Sequence, residues 1–197
     1  MSSLIHCKNI SKSFGPKALF SDLTISLNNH DRIGIIGPNG SGKSTLIKIM
    51  AGQESVDTGV VTRRNDIRVA YVTQQPTFDI DASVFEIVEH VAKNAGISPT
   101  EITPRVREIL GKIGFHNSEQ SVALLSGGWK KRLAIACAFV QNPDVMLLDE
   151  PTNHLDFEGM QWLSKLMTHT TFAWLMISLD RWFLEKSTNF VAELNSQ

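Results

Sequence analysis

Residues 37–44 read Gly37-Pro38-Asn39-Gly40-Ser41-Gly42-Lys43-Ser44 and fit the pattern Gly-x-x-x-x-Gly-Lys-Ser/Thr. Glycines in such a loop let backbone N–H groups turn inward and cradle phosphate oxygens. Lys43 can reach the β- and γ-phosphates of a nucleotide, and the Ser44 hydroxyl can ligate Mg²⁺. Thr45 follows at the opening of the next element and is assigned to the same site. A Gly-rich turn ahead of a surface helix could show the same glycines, so the flanks decide. Residues 32–36 read as a buried strand, and residues 44–50 read as a helix closed by Gly52. Strand, loop and helix in that order are the setting a phosphate loop requires, because the helix N-terminus adds its positive dipole end. The segment predicts binding of a nucleoside triphosphate.

Two further segments carry chemistry. Val145-Met146-Leu147-Leu148 is a continuous apolar run of the kind buried in a parallel sheet, and it ends in Asp149 and Glu150. In a phosphate-loop protein an acid at the end of a neighbouring strand holds Mg²⁺, often through water, which suits Asp149. Glu150, one residue later, can face the γ-phosphate and polarise an attacking water. Without the loop upstream, the same pair would read as an acidic turn after a core strand. Leu125-Ser126-Gly127-Gly128-Trp129 reads as a helix start with Ser126 as N-cap. The two glycines after the cap leave N–H groups open to a closely approaching anion.

The elements that must position these residues follow from periodicity. Residues 4–7 and 23–27 read as short strands, residues 28–31 as a turn, and residues 59–62 and 67–72 as further strands. The middle of the chain is helical. Ser83-Val84-Phe85-Glu86 is a capping box, and Val84, Ile87, Val88 and Val91 fall on one face behind it. A second helix opens at Ser98-Pro99 and carries Val106, Ile109, Leu110 and Ile113 as its apolar stripe up to Gly114. A helix over residues 157–167 lies between the run at 145–148 and a second strand at 172–177, which implies a right-handed crossover. Trp162 and Trp174 are read as core aromatics.

With 197 residues and a formal net charge of −1, the chain can form one domain with a full core, and its overall charge does not mark it as a nucleic-acid binder. No apolar run approaches the roughly 20 residues of a membrane span, and the N-terminus lacks a signal-peptide pattern. The 2 cysteines, Cys7 and Cys137, have no metal-ligand spacing and read as buried thiols in a reducing cytosol. The 6 histidines form no His-x-x-x-His pair and suggest no metal site.

A phosphate loop, then Leu-Ser-Gly-Gly, then an apolar run ending Asp149-Glu150-Pro151-Thr152 resembles the ATP-binding cassette (ABC) ATPases over nearly the whole chain. The resemblance implies an α/β fold of the P-loop NTPase class. Its mixed sheet core would have an N-terminal antiparallel β part and an inserted α-helical subdomain over about residues 76–140. Residues 1–197 would form a single cassette binding ATP and Mg²⁺. In that family two cassettes pair head to tail, and the Leu-Ser-Gly-Gly of one closes over ATP on the phosphate loop of the other. Ser126 and Gly128 would then contact nucleotide held by a partner cassette. Phe14 matches the aromatic that stacks on adenine; a buried core role is the alternative. Gln74 matches the glutamine that contacts Mg²⁺ and the lytic water, with Gln75 as the alternative if the register slips by one. Asp156 matches an aspartate that crosses the cassette interface.

Asn153-His154-Leu155-Asp156 is similar to the ABC-F branch, soluble two-cassette proteins associated with ribosomes and translation; transporter cassettes more often carry a small pair such as Ser-Ala before Leu-Asp. Trp129 after Leu-Ser-Gly-Gly resembles the first cassette of the Uup-like subgroup. Two departures stand out. The chain ends at Gln197 after one cassette, which suggests a fragment, a truncated gene, or a half-protein that pairs with itself. The family's switch histidine aligns with Leu179, which has no donor or acceptor. Losing one preorganised transition-state donor typically costs about 10²–10³ in rate, so near-normal ATP binding with weak or absent hydrolysis is expected. The resemblance implies an ABC-F module in the cytoplasm acting on the ribosome. The alternatives are the cytosolic ATP-binding subunit of an ABC transporter, working with a membrane subunit, and a nucleotide sensor without turnover.

Overall fold

The structure, a computed structural model, describes residues 3–195. Three strands, β1 (Ile5–Phe14), β2 (Lys17–Leu27) and β4 (Thr58–Arg63), form an antiparallel sheet in the order β2-β1-β4. The remaining strands are β3 (Arg32–Ile36), β5 (Val69–Val72), β6 (Val145–Asp149), β7 (Ala173–Ile177) and β8 (Phe190–Glu193). They form a second sheet, parallel throughout, in the order β5-β6-β7-β3-β8. The helices are α1 (Lys43–Ala51), α2 (Val84–Asn94), α3 (Pro99–Ile113), α4 (Gly127–Val140), α5 (Phe157–Thr168) and α6 (Arg181–Ser187). The expected combination of an antiparallel part with a sheet core is therefore present, as two separate sheets rather than one of mixed direction.

The continuous apolar runs of β6 and β7 have a simple cause. Successive side chains on a strand point to opposite faces, and both faces here are covered. Val145, Leu147, Ala173, Leu175 and Ile177 join a core with α1 and the antiparallel sheet. Met146, Leu148, Trp174 and Met176 face a second core built from α2–α6. Each strand thus contributes to two hydrophobic layers, which suits the apolar run of Val145 to Leu148 before Asp149.

The helical region forms where its patterns indicate. Ser83 caps α2 through the predicted box: its Oγ accepts from the Glu86 amide, and the Glu86 carboxylate accepts from the Ser83 amide. Val84, Val88 and Ala92 are its fully buried positions, whereas Ile87 and Val91 lie at the margin of the core. Pro99 opens α3 and Gly114 closes it at φ 99°. Trp174 is buried as expected; Trp162 is half-buried, packed against the margin of the core while its ring also covers the Arg132 guanidinium. The two elements with no forecast in the sequence are α6 and β8. They are short, and three of the four residues of β8 are exposed. Cys7 and Cys137 are free thiols, and burial pushes them up to about 11 and about 12 respectively.

Because β3, β5, β6 and β7 all run the same way, their C-terminal ends lie along one edge of the sheet. The segments beginning at residues 37, 73, 150 and 178 therefore emerge side by side, which is where open α/β sheets place ligands.

Candidate functional site

The loop after β3 is shaped by backbone that only glycine tolerates. A Cβ at Gly37, whose φ is 150°, would sit 2.2 Å from the Leu194 carbonyl oxygen. Gly42 is the N-cap of α1 in left-handed geometry and provides no side-chain cap, so the first-turn amides of α1 have no side-chain acceptor. The Lys43 ammonium arches over this loop, donating to the Gly37 and Pro38 carbonyls at 2.8 and 2.9 Å. Ser41 Oγ is buried beneath it with no partner. The open amides, the helix dipole and the cation together form an anion receptor.

The acids arrive from β6. Asp149 is buried, and its Oδ1 accepts from Ser44 Oγ at 3.1 Å, joining the start of α1 to the end of β6. Tyr71 donates to the other oxygen at 3.5 Å. Burial raises the Asp149 carboxyl above its ordinary range; the Ser44 hydrogen bond opposes this and the Glu150 charge adds to it. The same burial, with Asp149 beside it, pushes the Tyr71 phenol up to about 12. Glu150 stands at φ 46°, a left-handed conformation for a non-glycine residue. Its Oε2 accepts from Gln74 Nε2 at 3.1 Å and from Asn153 Nδ2. Gln74 is therefore the glutamine hydrogen-bonded to Glu150; Gln74 and Gln75 both line an adjoining recess with Tyr71 and Asp149. Ser44, Asp149 and Gln74 offer hard oxygen donors within one cluster, a set that suits Mg²⁺ alongside phosphate oxygens.

Lys43, Ser44, Gln74 and Glu150 line one open cleft of about 690 Å³ that also holds Phe14, Lys17, Asn39, Gly40, Thr45, Asn153 and Leu179; Asp149 lines the adjoining recess, which Ser44 and Gln74 share with the cleft. Phe14 is 53% exposed, which rules out the core alternative and leaves its ring available to a planar partner. One cation already lies near that ring: Lys12 Nζ is 5.3 Å from its centroid and is ion-paired to Glu54 at 2.9 Å. Leu179 is 61% exposed at the cleft, an apolar chain with no donor facing the Glu150 side.

Ser126 and Gly128 are not in this cleft. They line a separate one of about 520 Å³ with Trp129, Arg132, His154 and Asp156. Ser126 Oγ accepts from the Trp129 amide as the N-cap of α4. Gly128 is pressed against the neighbouring turn, where a Cβ would lie 3.1 Å from the His154 carbonyl oxygen. Arg132 is stacked between the Trp129 and Trp162 rings at 4.8 and 4.1 Å. Asp156 caps α5 by accepting from the Gly159 amide at 2.7 Å.

Three residues at or beside the first cleft escape sequence reasoning. Lys17 places its ammonium over Gly40, 3.1 Å from where a Cβ would be. Asn153 holds the Glu150 carboxylate. Lys131 lies in the charged run Lys130-Lys131-Arg132, yet is 1% exposed and donates to the Thr73 and Gln74 carbonyls at 3.1 and 2.7 Å. A signal for Lys131 exists: it falls four residues before Ile135 and seven before Ala138, on a buried face of α4.

The raised Asp149 pKa yields a prediction with a sign. A carboxylate raised on folding favours the fold below its unfolded pKa and loses that contribution as pH rises through its folded value. Asp149→Asn should therefore melt above wild type at neutral pH without nucleotide, and the gain should shrink as pH falls toward about 4. The same variant should lose the extra stabilisation that Mg²⁺ adds to ATP. Thermal melts across pH, with and without Mg-ATP, check both, and a neutral-pH melting temperature below wild type contradicts the first.

Among known proteins, the family profile described as ABC transporter matches residues 20–153. The energy-dependent translational throttle protein EttA of Escherichia coli (strain K12) is 34% identical over 98% of this chain and 35% of its own length. ATP-binding protein Uup of Buchnera aphidicola is 31% identical over 98% of the chain and 33% of its own length. The chain thus spans about a third of the curated relatives it matches. A dimeric structure of MJ0796, a bacterial ABC transporter cassette, superposes with a TM-score of 0.84 at 25% identity, covering 97% of this chain and 94% of that one.

Proposed function

The chain belongs to the ATP-binding cassette family, and from that premise we propose that it is a Mg-ATP-binding cassette of ABC-F type that works as one of a pair. The observation that carries this reading is the division of its anion-facing groups between two clefts. Lys43, Ser44, Gln74 and Glu150 share one cleft with Phe14. Ser126 and Gly128 stand in the other. A chain arranged so can hold ATP by itself and offer its Leu-Ser-Gly-Gly turn to ATP on a second cassette.

In this reading Phe14 stacks on the base. The loop of residues 37–45 wraps the phosphates with its backbone amides, those of Asn39, Ser41 and Thr45 among them and Pro38 alone carrying no N–H, and Lys43 exchanges its loop carbonyls for phosphate oxygens. Ser44, Asp149 and Gln74 would hold Mg²⁺, which when bound neutralises charge on the outer phosphates. Glu150, oriented by Gln74 and Asn153, accepts a proton from the attacking water. Leu179 supplies no hydrogen bond at the γ-phosphate, so ATP is bound with near-normal affinity and hydrolysed slowly or not at all.

The ABC-F assignment draws on Asn153-His154-Leu155-Asp156 and on the relatives EttA and Uup, the first of which is named for a role in translation. It implies a cytoplasmic setting and a ribosomal partner. Among the described residues no helix is long and apolar enough to cross a membrane. A transporter's ATP-binding subunit is the second reading, favoured by the likeness to a transporter cassette. Sedimentation decides between them. A Glu150→Gln chain should self-associate only with Mg-ATP and should co-sediment with ribosomes in its presence. Absence of ribosome binding together with co-purification of a membrane subunit would favour the transporter reading.

A further inference from the structure

Lys131 is a cation with almost no access to water and no carboxylate within ion-pair reach. It is 1% exposed, and its ammonium is spent on two backbone carbonyls, Thr73 at 3.1 Å and Gln74 at 2.7 Å. Burying an ammonium is costly, and burial accordingly lowers its pKa, while the charges of Asp149 and Glu150 oppose the shift. Nothing about the hydrophobic core asks for a lysine here. A methionine of similar length would fill the space between α4 and the end of β5 without that cost.

What the lysine provides is a connection. Gln74 belongs to the nucleotide cleft, where its side chain donates to Glu150 at 3.1 Å. Lys131 belongs to the helix whose first turn is Gly127-Gly128-Trp129, in the other cleft. Its two bonds fix the backbone of the Gln74 loop to α4 only four residues after the Gly127 end of that helix. We infer that Lys131 is a positioning residue that fastens the Gln74 loop to the helix bearing the Leu-Ser-Gly-Gly turn, so that occupancy of one cleft sets the position of the turn in the other. This rests on the reading of the first cleft as a Mg-ATP site.

A purely structural role and a coupling role predict opposite behaviour for Lys131→Met, which keeps length and removes the donors. The variant should melt at or above the wild-type temperature and still bind Mg-ATP, whatever change in affinity follows from freeing the Gln74 loop, because the loop of residues 37–44 is untouched. Hydrogen–deuterium exchange should slow on Mg-ATP addition at residues 37–45 and at 126–132 in wild type. In Lys131→Met the slowing at 37–45 persists and that at 126–132 is lost; Lys131→Arg, which keeps donors, retains both. A Lys131→Met chain that melts well below wild type, or one whose residues 126–132 still respond as in wild type, overturns the inference. So does a wild-type chain that binds Mg-ATP with no response at 126–132. A wild-type chain that shows no Mg-ATP binding at all instead removes the reading of the cleft on which the inference rests.

Discussion

Leu179→His is expected to raise steady-state ATP turnover by about 10²–10³-fold, the usual effect of one preorganised donor at developing charge. The substitution puts an imidazole at the rim of the cleft that already holds Lys43, Ser44 and Glu150. Leu179 is 61% exposed, so the larger ring meets no packed core there. The gain should appear in kcat, with little change in KM for ATP, because the added hydrogen bond matters most in the transition state. It should also need the carboxylate: Leu179→His combined with Glu150→Gln should be as slow as Glu150→Gln alone. Phosphate release measured on the four chains tests this. Equal rates for wild type and Leu179→His would show that Leu179 does not limit the chemistry.

Lys43→Ala is expected to abolish useful ATP affinity while leaving the fold intact. Truncating one member of a buried, hydrogen-bonded charge pair costs about 2–5 kcal/mol, a loss between roughly 30-fold and several thousand-fold. The pair in question is the ammonium with the bound phosphates. In the free chain Lys43 bonds only to the carbonyls of Gly37 and Pro38, so its removal costs the unliganded fold little. Calorimetric titration with Mg-ATP beside a thermal melt separates the two effects. A Lys43→Ala chain with wild-type affinity would remove the phosphate loop from the binding site. The two variants address different halves of one claim: Lys43 governs whether nucleotide is held, and Leu179 governs how fast it is consumed.

The chemistry of the site was legible because it is local. A phosphate loop needs a strand before it and a helix behind it, and β3 and α1 flank residues 37–42 as the apolar patterns indicate. Ser83 and Ser126 cap their helices, and Gly52 and Gly114 end theirs, through interactions spanning a few residues. Asp149 and Glu150 follow β6 because a strand covered on both faces stays apolar until it leaves the sheet. Spacing alone could not choose between Gln74 and Gln75, or between an exposed and a buried Phe14, since each pair of alternatives satisfies the same sequence pattern.

Those choices depend on which distant segments meet. Parallel pairing brings the ends of β3, β5, β6 and β7 to one edge, so that Gln74 reaches Glu150 across 76 positions and Ser44 reaches Asp149 across 105. No periodicity in the chain encodes that juxtaposition. The same long-range packing turned a surface-looking lysine at 131 into a buried bond to the Gln74 loop, and it set Ser126 and Gly128 in a cleft apart from Lys43. The sequence by itself determined what each segment can bind, because backbone conformation and side-chain chemistry are properties of a few adjacent residues. Only the tertiary structure decided which of them act together, because that is fixed by sheet order and by the burial of faces contributed from across the chain.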